Sequence, residues 1–262
     1  MRIEGKVVLI TGASQGIGAA CAAEFGRAGA SLSLTARSEE GLRRAGPVGA
    51  LLTPGDVTSD PDRRRIVDRT LERFGTVDIL INNAGVGLYL PSWSASLEET
   101  RWLMELNFFA VLALTQLIVP HMRARRNGMI VNLSSVAGKV PLPWMTLYSA
   151  SKYALGALTE GLGMELWRDG IRTMTVCPGY VKTAFQENAH GGGVPEGVAR
   201  TRRFAITAEE CARAIRRGVE RDARTVVTPW AAWVLVAAMR VAPGLVTAQM
   251  AAMSQSPQGN RR

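Results

Sequence analysis

The chain is 262 residues long, enough for one large α/β domain or two small ones, and 47% of it is hydrophobic, enough for a full core. Its three cysteines, Cys21, Cys177 and Cys211, are far apart, odd in number and without metal-ligand spacing, which argues against a disulfide framework and for a reducing, cytoplasmic setting. The net charge of +9 comes almost wholly from arginine, Lys6, Lys139, Lys152 and Lys182 being the only lysines, and no basic run carries the interleaved aromatics of a nucleic-acid binder.

No signal peptide is expected at the start, where Arg2 and Glu4 flank Ile3 and a strand follows over residues 6–11, ended by Gly12. Residues 16–28 read as a helix, with Ile17, Ala20, Cys21, Glu24 and Phe25 at helical spacing and Gly29 as its stop. Strands are expected over 31–35 and 48–52, a charged amphipathic helix over 60–74, and a buried strand over 77–81 that ends at Asn82-Asn83-Ala84-Gly85. A long helix over 97–122 is followed by an Asn127-Gly128 turn and a strand over 129–133. A helix over 148–167 stops at Asp169-Gly170, and a strand over 171–176 ends at Pro178-Gly179. A helix over 208–221 and a strand over 225–228 complete the alternation.

Short apolar strands separated by helices pair in parallel, because each return crossing needs a helix. Right-handed crossings then predict an α/β fold: a doubly wound, Rossmann-like parallel sheet of about seven strands with helices on both faces, in a single domain over residues 1–229. No apolar run reaches bilayer-spanning length.

Thr11-Gly12-Ala13-Ser14-Gln15-Gly16-Ile17-Gly18 lies between the first strand and the first helix, where a dinucleotide pyrophosphate binds. Gly12 permits a tight turn, Gly16 lets backbone approach the phosphates, and Gly18 lets the helix pack closely. The helix N-terminus, with its free N–H groups and positive dipole end, faces the anion. The second strand ends in Thr35-Ala36-Arg37-Ser38. An acid here would bind ribose hydroxyls and repel a 2′-phosphate, whereas Arg37 can pair with that phosphate. NADP(H) is therefore expected as the preferred cofactor, with NAD(H) as the alternative.

Tyr148 and Lys152 are four residues apart on a predicted helix and project from one face, and Ser135 follows a buried strand, where α/β sheets place chemistry. An ammonium beside a phenol favours the phenolate and lowers its pKa, so Lys152 is expected to tune Tyr148 as acid or base. The Ser135 hydroxyl can hold the same substrate oxygen.

These segments together resemble the short-chain dehydrogenase/reductase family, in its compact single-domain subgroup, over about residues 5–228. The glycine turn is similar to TGxxxGxG, Asn82-Asn83-Ala84-Gly85 to NNAG, and Tyr148-Ser149-Ala150-Ser151-Lys152 to YxxxK. The resemblance implies direct hydride transfer between nicotinamide and an alcohol/ketone pair, with no metal. It implies catalytic roles for Asn107, Ser135, Tyr148 and Lys152, with Ser135 preferred over Ser134, Asn107 holding a relay water at a helix kink and Lys152 also holding the nicotinamide ribose. It implies cofactor contacts from Gly12, Ser14, Gln15, Gly16, Ile17 and Gly18, from Asp56 and Val57 at the adenine, and from Asn83, Ala84 and Gly85. Pro178, Gly179, Val181 and Thr183, in a PGxxxT segment, would hold the carboxamide side of nicotinamide. One departure is Gln15, where many NADP(H)-preferring relatives carry a basic residue, so that preference rests on Arg37. The resemblance also implies a homodimer or homotetramer joined through the helices at 97–122 and 148–167. A cofactor-sensing binding protein of the same fold, without chemistry, is the alternative; a nucleotide-sugar epimerase or dehydratase fits poorly in length and glycine spacing.

The stretches Leu142-Pro143-Trp144-Met145 and Leu88, Tyr89, Leu90 and Trp93 are apolar, so a small hydrophobic carbonyl or alcohol is expected, with Leu142, Trp144 and Met145 lining its site; core or subunit contact is the competing reading. Residues 184–205 occupy the place of a substrate lid, made pliable by Gly191-Gly192-Gly193. Past Thr228 an apolar extension over 230–262 admits three roles: a cap over the pocket, a subunit contact, or a peripheral membrane contact. Its last residues, Ser254 to Arg262, are polar and expected to be disordered, and His121 and His190 carry no partner pattern.

Overall fold

The computed structural model describes residues 1–191 and 203–253. The predicted sheet is present: β1 (Val7–Thr11), β2 (Ser31–Thr35), β3 (Leu51–Leu52), β4 (Ile79–Asn82), β6 (Gly128–Leu133), β7 (Ile171–Pro178) and β11 (Thr225–Thr228) form seven parallel strands in the order β11-β7-β6-β4-β1-β2-β3. Between β1 and β4 the order reverses direction, which opens a crevice at the carboxyl ends of these strands. Short two-stranded ribbons join β5 (Leu88–Tyr89) to β9 (His190–Gly191) and β8 (Val181–Lys182) to β10 (Ile206–Thr207).

Side-chain alternation divides the core. Val8, Ile10, Ile79, Ile81, Met129 and Val131 point to one face, where Phe25 of α1 (Gly16–Arg27) and Ile215 of α7 (Ala208–Glu220) cover them. Leu9, Leu80 and Ile130 point to the other, against Ile66 of α3 (Asp60–Phe74) and Leu114, Ile118 and Met122 of α5 (Ala110–Arg125). Each such side chain contributes about 1.5–3 kcal/mol by leaving water. At the amino ends of the strands, buried Asp78 accepts a hydrogen bond from the Val7 N–H at 2.9 Å and faces Arg125 at 3.3 Å and Lys6 at 3.9 Å.

Several boundaries differ from expectation. The third strand pairs only at Leu51–Leu52, since Gly49 has φ +88° and Val48 is fully exposed. A further helix, α2 (Glu39–Ala45), is capped by the Ser38 hydroxyl and carries Glu39 and Glu40 in its first turn. The long helix is interrupted: α4 (Leu97–Met104), a π-helical turn (Glu105–Phe109) and α5 run in succession. Together, Leu97–Arg125 are long and apolar enough to cross a membrane, contrary to expectation, although the helix lays Leu114, Ile118 and Met122 on the sheet. After it, Arg126 takes the left-handed turn position (φ 51°) and Gly128 already belongs to β6, where a side chain would strike the Met122 sulfur. Helix α6 (Thr146–Glu165) starts two residues ahead of Tyr148, and a 3-10 turn (Trp167–Asp169) follows it.

The C-terminal extension folds back. In α8 (Ala232–Val241), Ala232 and Leu235 pack on Val136, Cys177 and Val227, while α9 (Pro243–Met253) bends away by 117° and packs chiefly on α8. Gly192 and Gly193 of the expected lid and the polar tail from Ser254 onward lie outside the described residues.

Candidate active site

The glycine turn is built around missing side chains. Gly12 (φ +64°) would place a Cβ 2.9 Å from the Asn83 side-chain nitrogen, and Gly18 would place one 2.2 Å from the Gly12 carbonyl oxygen, so α1 seats directly on the turn. Gly16 (φ +56°) leaves its space to the methyl group of Thr183, at 3.2 Å from where a Cβ would stand. Thr11 accepts from the N–H groups of Asn83 and Ala84, both at 3.0 Å, and the Asn83 amide donates to the carbonyls of Thr11 and Gly12 at 2.9 and 3.1 Å. The first turn of α1 has no acidic residue and no side-chain cap, so its N–H groups remain available for an anion. These features fit a dinucleotide pyrophosphate.

A cavity of about 1490 Å³ extends from this turn. Its end beside β2 takes in Arg37, Asp56 and Val57, together with Ser38 and Arg44. The Asp56 carboxylate is oriented by the N–H and hydroxyl of Thr58, at 2.9 and 2.8 Å, through a single oxygen. Arg37 is exposed and has no ion pair among the described residues; Arg44 reaches Glu40 only at 3.7 Å. Neither guanidinium is committed to a buried acid, which suits a phosphate-binding end. Arg44 escaped sequence reading because the helix that carries it did.

At the other end, Ser135, Tyr148 and Lys152 share the cavity wall with Asn83, Ala84, Gly85, Pro178, Gly179, Val181 and Thr183. Ser135 accepts from the Ala137 N–H at 3.1 Å, donates to the Pro178 carbonyl at 3.4 Å and shares the cavity wall with the Tyr148 phenol, whose pKa it acts to lower. Ser134 is spent on the carbonyl of Lys152 at 2.9 Å, which leaves Ser135 as the serine facing the phenol. Lys152 donates to the carbonyl of Leu133 at 2.9 Å and lies 5.8 Å from the centre of the Tyr148 ring. Fully buried Asn107 sits in the π-helical turn; it accepts from the Val86 N–H at 2.9 Å and donates to the Val86 carbonyl and the Ser151 hydroxyl at 3.0 and 3.1 Å. A Cβ on Gly85 would stand 3.1 Å from the Asn107 oxygen and 3.3 Å from the Lys152 nitrogen, so these three residues converge.

The electrostatics depart from expectation. Burial, not Lys152, dominates the phenol: the Tyr148 pKa rises well above its usual value, with Ser135 pulling the other way. Burial also pushes the Lys152 ammonium down to about 8. The resting state is therefore a neutral phenol, a proton donor, beside a lysine that titrates near neutrality.

Leu142 and Met145 line the apolar part of the cavity, but Trp144 does not. It has φ +65°, and its ring packs on Trp93 at 5.6 Å between centroids. Of the second apolar stretch only Tyr89 reaches the lining; Leu88, Leu90 and Trp93 lie outside it, as do Gly18 and Asn107, which act through their neighbours. Trp102, Phe185, Phe204 and Leu235 add to the wall, and Glu98, Arg101 and Glu105 bring charge to it. The first four come from separate elements, and no local pattern marks them. His190 pairs with Glu99 at 3.4 Å and packs on Trp102, which ties β9 to α4.

A model of the short chain dehydrogenase family matches residues 6–191. The chain is 35% identical over 250 residues to "11-beta-hydroxysteroid dehydrogenase-like 2" of Arabidopsis thaliana, covering 89% of this chain and 77% of that protein. Among solved structures, a short-chain dehydrogenase/reductase of Burkholderia phymatum in complex with NAD superposes with a TM-score of 0.84 at 25% identity, over 100% of this chain and 99% of that one. A short chain dehydrogenase of Burkholderia cenocepacia J2315 in complex with NADP gives 0.81 at 28% identity, over 95% and 99%.

Proposed function

Because this chain belongs to the short-chain dehydrogenase family, a group of nicotinamide-dependent oxidoreductases, we propose that it interconverts a hydrophobic ketone and its alcohol with NADP(H) as the preferred cofactor. The observation that carries this reading is that Ser135, Tyr148 and Lys152 share one cavity with the glycine turn, with Arg37 at the far end. Bound nicotinamide supplies or accepts the hydride.

The protein's own residues do the rest. The α1 N-terminus and the turn at Gly12 and Gly16 hold the pyrophosphate, Asp56 and Val57 the adenine, and Arg37 and Arg44 the 2′-phosphate. Val181 and Thr183 hold the carboxamide, and Lys152 the nicotinamide ribose. Ser135 fixes the substrate oxygen by a hydrogen bond. Tyr148 donates its hydroxyl proton to that oxygen during reduction and recovers it in the reverse direction. The raised phenol pKa favours the donating form. Asn107 fixes the backbone at Val86 and, with the π-helical turn around it, keeps the floor beneath Lys152 in place.

The apolar lining from Leu142, Met145, Phe185 and Leu235 supports a hydrophobic substrate. We assign α8 the role of capping this pocket, and the outer surface of α8 and α9 a reversible contact with anionic lipid. Helices α4 to α6 would join the subunits of a homodimer or homotetramer. A silent cofactor sensor would have no use for Ser135, Tyr148 and Lys152 gathered on the cavity wall.

The test is NADPH and NADH oxidation over a ketone panel. Tyr148→Phe should lower kcat by about 10²–10⁴-fold. Arg37→Asp should raise the KM for NADPH at least tenfold and leave that for NADH nearly unchanged. Equal rates in wild type and Tyr148→Phe would remove the mechanism; equal shifts for both cofactors would remove the NADP(H) preference.

A further inference from the structure

The helix that carries the phenol begins without a cap. Tyr148 stands in the first turn of α6, where N–H groups have no partner within the helix, and Met145, just ahead of it, makes no side-chain cap bond. Helices α4 and α7 start differently, each on a complete capping box, from Ser96 with Glu99 and from Thr207 with Glu210. An uncapped first turn frays unless tertiary contacts hold it.

Two serines supply that hold. Ser149 accepts from the Leu142 N–H at 3.2 Å, and Ser151 donates to the Tyr148 carbonyl at 2.7 Å. A serine that bonds the carbonyl three residues back is an ordinary local feature of helices. Here the same oxygen also accepts from the Asn107 amide at 3.1 Å, out of the π-helical turn. The remaining Asn107 bonds go to Val86, next to Gly85, where a Cβ would stand 3.3 Å from the Lys152 nitrogen. A continuous path of hydrogen bonds thus runs from the backbone beneath Lys152, through Asn107 and Ser151, to the backbone of Tyr148. Ser151 and Asn107 have no exposed surface, so water does not compete for these bonds.

We propose that Ser151 is a positioning residue: by tying the uncapped turn of α6 to the π-helical turn, it fixes where the Tyr148 phenol stands relative to Lys152 and to the substrate oxygen. The proposal rests on the oxidoreductase reading above. Proton donation demands close geometry, and a displacement of about 1 Å costs on the order of 10²-fold. Ser151 lies behind the cavity wall and meets neither cofactor nor ketone, so its loss should slow the chemical step and leave binding alone.

The test is the single-turnover rate of NADPH oxidation at saturating ketone. Ser151→Ala frees the Tyr148 carbonyl and strands a buried Asn107 N–H. It should lower that rate by about 10–100-fold, with the Kd for NADPH nearly unchanged by fluorescence titration. It should also raise the solvent isotope effect on the rate, because proton transfer becomes the slower event. Ser151→Thr, whose hydroxyl can bond the same carbonyl, should recover most of the rate. Ser151→Cys keeps the volume with a weaker donor and acceptor. It should show the alanine changes in smaller measure, and it takes that variant's place if thermal melting finds alanine unfolded. A wild-type rate in Ser151→Ala or Ser151→Cys overturns the proposal. So does a slowing with an unchanged isotope effect, one matched by equally weakened NADPH binding, or one that Ser151→Thr shares in full. A wild type that reduces no ketone overturns the oxidoreductase reading, and this proposal with it.

Discussion

Ser135, Tyr148 and Lys152 line one wall, and what their neighbours do to their protons matters as much as their identity. Lys152 is charged below about pH 8 and neutral above it, whereas Tyr148 keeps its proton well past that point. In the proposed mechanism, ketone reduction needs the phenol protonated and the Lys152 ammonium charged. Its kcat/KM should therefore be level up to about pH 7 and fall above pH 8, by about tenfold per unit if Lys152 alone governs the step. A profile level to pH 10 would show that the charge on Lys152 does not matter. The identities and spacing of these residues were legible in the sequence; the direction of the Tyr148 shift was not. A spacing of four residues suggests a charge–charge effect, but the outcome depends on how much water the finished cavity excludes, and here desolvation outweighs the neighbouring cation.

At the scale of elements, the glycine turn shows what a spacing rule conveys. TGxxxGxG predicted a close approach, and the structure supplies its partners: the Gly12 carbonyl against α1, and Asn83 clamping both. Gly18→Ala should push α1 off the turn. Overpacking of this kind costs about 1–3 kcal/mol. Melting temperature should fall by several degrees and the Kd for NADPH should rise at least tenfold, measured by calorimetry and fluorescence titration. An unchanged Kd would mean that α1 need not touch the turn for the pyrophosphate to bind. Strands and helices with strong periodicity were read within a few residues, because burial on one face or two leaves a trace in the local pattern. The elements that were missed leave no such trace. Helix α2 is short and mostly charged; the break at Asn107 was expected only from the resemblance, as a kink, because the π-helical turn keeps ordinary helical composition while admitting one extra residue.

For the whole molecule, the notable feature is the unpartnered C-terminal surface. Trp230, Val234, Val241 and Leu245 are well exposed on or beside α8 and α9, and no acidic residue follows Asp222 in the chain. Apolar side chains flanked by arginine alone suit an anionic bilayer. The purified protein should float with anionic liposomes at low salt and release at high salt, and Trp230→Glu with Val241→Glu should abolish flotation without loss of fold. Absence of flotation at low salt would leave the surface to a second subunit. That α8 caps the pocket follows from packing between residues nearly a hundred positions apart, such as Val136 and Leu235, which no local pattern records.

The buried carboxylate at Asp78 lies at the end of the strands opposite the cavity. The parallel sheet thus keeps its tethering and its chemistry at separate ends, and one can be altered without the other. Asp78→Asn, which weakens the hold on Lys6 and Arg125, should lower the melting temperature by a few degrees while Michaelis constants for cofactor and ketone stay put. Evolution, or an engineer, can harden this protein against heat from that far rim and never disturb a turnover.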